Sequence, residues 1–195
     1  MKQPWPWTTD EILKTYIIIN VYRELDKCTI YLLDKLKEVK SREALFLNIV
    51  FFRFFNRKGL YEELGIKPFD KIDEKLKNEI ISRFDEVKKS GKPIFNNAYL
   101  ISSGKEGQKK HISIMDNLSR LGVVGLIKEI DNSKTCEESL EVICKIPMVG
   151  PFLACEIWTD LSYIKFFKQK WTDNDFVNVG PGAKWGLEII FDKKL

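Results

Sequence analysis

Apolar positions recur along most of the chain at the three- and four-residue spacing of helices that face a core. Between Asp10 and Lys40 they fall at Ile12, Leu13, Tyr16, Ile19, Val21, Tyr22, Leu25, Thr29, Leu32, Leu33 and Leu36, interrupted by Asn20 and Arg23. One long helix or two jointed ones would fit, with Thr8 or Thr9 as the cap. Ahead of it Trp5 and Trp7 stand among Pro4 and Pro6, an extended arm whose indoles need cover. Ser41–Lys58 is apolar on nearly every face, which predicts a helix enclosed in the core with Arg53, Asn56 and Arg57 as its polar exceptions. Gly59 reads as its end and Tyr61–Gly65 as a further turn. Ile72–Lys89 alternates charge along a solvated helix, Ser90-Gly91-Lys92-Pro93 breaks it, and Phe95–Ile101 starts afresh with Asn96 as a cap. A polar, basic loop, Ser102–His111, precedes two short amphipathic helices, Ile112–Leu121 and Leu126–Ile130, split by Gly122 and Gly125.

Residues 137–163 carry the strongest local signal. Glu137–Cys144 is a short amphipathic helix, Ile146–Gly150 a tight connection, and Pro151–Tyr163 a second helix with proline at its first position, where a missing N–H is tolerated. In such a unit the amides of Val149, Gly150 and the first turn point outward and, with the helix dipole, can hold a phosphate. The stretch 171–183 then packs Asp173, Asn174, Asp175 and Asn178 with turn formers beside Trp171, which is unusual for a plain connector.

Composition narrows the class. With 195 residues, 44% of them apolar and 31% charged, the chain can bury one good core or two small helical lobes sharing a cleft. Abundant Lys and Ile with little Gly or Pro favour an all-α fold. A net charge of +4 permits nucleic-acid binding without requiring it. Cys28, Cys136, Cys144 and Cys155 lack CxxC spacing, and the single histidine, His111, completes no zinc set with them, so no metal is expected. Neither a signal peptide nor a membrane-spanning run is seen, which points to the cytoplasm of a bacterial cell, its own or a viral host's. The loop Ser102–His111 lacks the GxxxxGK[ST] order of a triphosphate-binding loop. Its Lys105 and Lys109 would either touch phosphates or belong to a solvated linker.

Two resemblances add to this. Ile146-Pro147-Met148-Val149-Gly150 followed by Ala154 resembles the helix–hairpin–helix of the DNA glycosylase superfamily, with Met148 where the first glycine is usual. If that glycine needs positive φ, the hairpin here must be reshaped. The resemblance implies a two-lobed glycosylase-like fold, phosphate contacts at Lys145, Val149 and Gly150, a monovalent cation at the hairpin carbonyls, no other cofactor, and a catalytic acid at Asp175 or Asp173. Phe152 stands where bifunctional members carry lysine, so no Schiff base is implied. The second resemblance runs through Pro6-Trp7-Thr8, Asn20–Asp26, Phe52–Arg57, Tyr61–Gly65, Gly150–Ala154 and Asp175–Ala183. It is to a helical family of DNA hypermodification, comprising the helical domain of 5-hydroxymethyluracil DNA kinases and the proposed α-glutamyl/putrescinyl thymine pyrophosphorylases. As a single domain over 1–195, it would fall short of the glycosylase pattern in its C-terminal helices.

From these follow expectations about chemistry. Arg53, Asn56, Asp173, Asp175 and Asn178 would line a cleft, with Arg57 and Trp171 on the substrate, a flipped pyrimidine in double-stranded DNA. Alternatively Arg53 and Arg57 pair with Glu24, Asp26 or Glu62 as structural bridges, and Asp175 caps the turn that follows it. The implied functions are base excision or substitution, or a non-catalytic DNA-binding module that serves a DNA-base kinase. A helical protein-interaction domain with no DNA role is a further alternative.

Overall fold

The computed structural model describes residues 9–15, 23–97, 99, 101–102, 104 and 106–194. Trp5, Trp7, Asn20 and Lys105 lie outside them. The fold is all-α. Its helices are α1 (Glu11–Thr15), α2 (Lys27–Leu36), α3 (Arg42–Phe55), α4 (Lys58–Leu64), α5 (Glu74–Lys89), α6 (Lys110–Ser119), α7 (Val123–Asn132), α8 (Cys136–Cys144), α9 (Pro151–Tyr163) and α10 (Pro181–Phe191), with a 3-10 turn at Arg23–Leu25. Among the described residues no helix is long and apolar enough to cross a membrane, and no group of three or more His, Cys, Asp or Glu could hold a metal ion.

α3 is the axis, as its all-round apolar pattern predicts. Phe46, Ile49, Val50, Phe51, Phe52, Phe54 and Phe55 are essentially inaccessible, and α9, α7, α2 and α6 pack around the helix. Side-chain caps start α2, α3 and α5: Asp26 accepts from the Thr29 amide at 2.7 Å, Ser41 from Ala44 at 3.2 Å and Asp73 from Leu76 at 2.9 Å. α1 is capped by Asp10, whose Oδ1 accepts from the Ile12 amide at 2.8 Å.

Several boundaries differ from expectation. α3 ends at Asn56, which takes the left-handed conformation (φ 44°, ψ 48°), a region asparagine tolerates. Gly59 therefore lies inside α4, and Tyr61–Leu64 is helical up to the left-handed cap Gly65. Residues 95–97 form no helix: the Asn96 amide donates to Phe55 O and its side chain to Asn56 O, both at 3.1 Å, covering the exposed carbonyls of α3. Gly122 caps α7 and Gly125 lies within it. Pro181 and Gly182 open α10, so the loop after α9 ends at Gly180.

His111 is buried in the first turn of α6, edge-on to Phe84. Its Nε2 lies 3.2 Å from Asp85 Oδ1, out of line for a hydrogen bond. Burial lowers its pKa below 6.5, with Lys88 and Lys109 adding to the effect and Asp85 opposing it. The unfolded chain therefore binds this proton more readily than the folded one. The associated stability is intact above about pH 6.5 and declines as pH falls below it. Urea titrations at successive pH values should show this decline, and His111→Phe should flatten it between about pH 5 and 7.

Candidate nucleic-acid interface

The connection between α8 and α9 is built on two buried apolar anchors, Ile146 and Val149. The Val149 amide donates to Ile146 O at 3.0 Å, closing a turn over Pro147 and Met148. Proline followed by a left-handed residue is the signature of a type II turn, and Met148 supplies that conformation at φ 70°. Glycine is usual there because a Cβ costs roughly 1–2 kcal/mol. The position does need positive φ, and the methionine accepts it while its side chain packs on the core.

Gly150 then caps α9 in an extended conformation (φ −92°, ψ 176°). Among the described residues the N–H groups of Gly150, Phe152 and Leu153 meet no acceptor. With the dipole of the 13-residue α9 behind them, they form an end suited to an anion. A depression of about 590 Å³ opens beside it, lined by Ile101, Ser102 and Met148–Leu153. Lys145 is exposed and ion-paired with Glu129, and Lys109 pairs with Asp85 at 3.0 Å. Surface pairs of this kind are weak and leave both lysines available to a phosphate.

Beneath α9 lies a network that sequence reasoning missed. Arg53 is 1% exposed and grips Asp160, itself fully buried, through Nε–Oδ2 at 2.5 Å and Nη2–Oδ1 at 2.6 Å. It also donates to Asn56 Oδ1 and Thr29 Oγ1, both at 2.9 Å. One turn before Asp160, Glu156 takes both Nη groups of Arg23 and the hydroxyl of Tyr99. Two guanidinium groups thus meet two carboxylates, and the charges balance. Burial works against ionisation of Glu156, but the hydrogen bonds and charge of Arg23 outweigh it and hold the carboxyl below its usual range. Burial likewise opposes charge on Arg53, yet Asp160 keeps it firmly protonated. Arg53 and Asn56 are therefore enclosed rather than lining a cleft, and the bridge runs to Asp160, not to Asp26 or Glu62; the side chain of Glu24 lies outside the described ones. Arg57 is half-buried, with Nη1 3.5 Å from Phe95 O. The available signal was Glu156 and Asp160 four apart among Leu153, Ile157, Trp158 and Leu161, carboxylates on a buried stripe that needed buried cations.

The loop after α9 is held from inside by aromatics. Phe167 stacks on Trp158 at 4.9 Å, Trp171 tilts against Phe167 at 5.6 Å, and Phe176 meets Trp158 edge-on at 5.3 Å. Trp171 is thus committed in part to packing. Asp175 is exposed, and its Oδ2 accepts from the Thr172 amide at 2.7 Å and hydroxyl at 2.8 Å, bonds that lower its pKa. Asp173 is exposed beside the Tyr163 hydroxyl at 3.3 Å. Asn178 is exposed, and burial raises the pKa of the neighbouring Cys155 thiol while the Asn178 backbone opposes the shift. The loop follows α9 in the chain and runs back along it, with Phe176 on Trp158 and Asn178 beside Cys155.

The whole chain, residues 1–195, matches the family described as the 5-hmdU DNA kinase, helical domain. The 5-hmdU DNA kinase of Bacillus phage SP10 is 30% identical to it over 213 residues, covering 96% of this chain and 32% of that protein. The chain thus spans about a third of the length of this relative. No solved structure matches it. On the extent of the family match and an all-helical fold that accommodates it, the chain belongs to the family of 5-hmdU DNA kinase helical domains.

Proposed function

We propose that the chain is a DNA-contacting helical module that serves 5-hmdU DNA kinase activity, holding duplex DNA at the N-terminal end of α9. The match of the entire chain to the kinase helical domain carries this proposal. Three unpaired amides beside an open depression support it as the phosphate contact. Base excision or substitution at Asp175 has less support. A general acid or base working near neutral pH needs its pKa raised by burial, whereas Asp175 is exposed, lowered, and engaged with Thr172. A protein-interaction role without DNA draws on α10, where Trp185, Ile189, Ile190 and Phe191 are all exposed.

Gly150→Asp separates folding from function. The residue already has N-cap geometry and a Cβ there would meet nothing within 4 Å. Aspartate should cap α9 and hold or slightly raise the melting temperature. Its carboxylate would occupy the free amides and repel phosphate. In fluorescence anisotropy, wild type should bind 5-hmdU-containing duplex with log K falling linearly against log salt, and Gly150→Asp should bind about tenfold or more weakly. Undiminished binding by a folded Gly150→Asp would move the DNA elsewhere on the surface. Absence of binding by wild type would leave the protein-interaction role.

A further inference from the structure

We infer that the depression beside the α8–α9 connection receives an unstacked base of a DNA strand, with Phe152 as its stacking surface. This rests on the DNA-contacting role proposed above and names the part of DNA that the site takes.

Phe152 is 53% exposed although it stands in the first turn of a helix whose other large apolar residues are buried. Unlike the exposed aromatics of α10, on which no side chain is buried, it is fixed in place. Its ring meets Tyr99 edge-on, 5.0 Å between centroids at 81°. Tyr99 in turn donates its hydroxyl to Glu156, which Arg23 clamps. An exposed ring braced by a buried ion network loses little freedom when another ring stacks on it.

The rest of the wall is chosen similarly. Ile101, Met148 and Leu153 are apolar, while Ser102 and the free Gly150 amide add a few polar atoms. At about 590 Å³ the space falls within the range of small-ligand sites, and this lining suits a flat ring with a polar edge. An apolar side chain from a protein partner would use the ring and the apolar wall but leave the amide end without an anion. One nucleotide supplies both, its base to Phe152 and its phosphate to the amides of α9.

The test uses three fluorescent duplexes of one sequence: fully paired, with a single unpaired thymine, and with an abasic site in place of that thymine. Wild type should bind the unpaired-thymine duplex about tenfold more tightly than the abasic one, the scale of one base–aromatic stack. Phe152→Ala should remove that preference while retaining affinity for the paired duplex, and Phe152→Trp should restore it. Melting curves confirm that both variants fold. A preference that survives in Phe152→Ala overturns the inference. So does wild type that binds all three duplexes alike, which would give the depression to a protein side chain and leave the DNA-contacting role standing. Failure to bind any of the three overturns both.

Discussion

Asp160→Ala should destabilise the protein by about 3–5 kcal/mol, because it leaves the Arg53 guanidinium buried with its principal counter-charge gone. The fork between them has two short contacts, at 2.5 and 2.6 Å, and neither side chain reaches solvent. Asn56 and Thr29 can still accept from Arg53, but neither carries charge, and Glu156, whose Oε2 lies 3.5 Å from Arg53 Nη1, is shared with Arg23 and Tyr99. The double variant Arg53→Met, Asp160→Leu should recover much of the loss, since apolar side chains of comparable volume leave no charge unpaired. Urea unfolding of the two singles and the double closes the cycle. A loss below about 1 kcal/mol in Asp160→Ala would mean that water or Glu156 compensates Arg53, and the balanced network would not be what joins α3 to α9.

That network also marks the boundary of what could be read from the amino-acid order. The start of α9 follows from Pro151, and the enclosure of α3 from apolar residues on all its faces; both are local patterns. The partner of Arg53 is 107 positions away in sequence, and periodicity cannot say which helix faces which. The end of α3 was misplaced for a different reason. Asn56 adopts the left-handed conformation more often associated with glycine, so Gly59 looked like the breaker when asparagine already was. Asn96 reads as a helix cap after the break at Ser90–Pro93, but its amide and side chain serve the end of α3 instead. In the loop after α9 the acids and the turn were legible. What could not be foreseen is that Trp171 and Phe176 face inward and that Asp175 spends its acceptor on Thr172.

Trp158→Ala should cost about 3–5 kcal/mol and, beyond that, release the loop that contains Asp173 and Asp175. Trp158 is fully buried, and its indole N–H donates to Ser139 Oγ at 2.8 Å, tying α9 to α8. Its ring carries Phe167 on one side and Phe176 on another, so its removal opens a void under both ends of the loop. Trypsin reports on this directly: under native conditions cleavage after Lys168 or Lys170 should accelerate in Trp158→Ala by more than the global destabilisation accounts for. Trp158→Phe keeps a ring and loses the hydrogen bond, about 0.5–1.5 kcal/mol, and should leave the loop closed. DNA affinity, measured per folded molecule below the transition, should be unchanged in Trp158→Ala if the duplex is held by the amides at the N-terminal end of the helix and not by the loop. A variant that is folded, open in the loop and impaired in binding would instead bring Asp173, Asp175 and Asn178 back into contact with DNA.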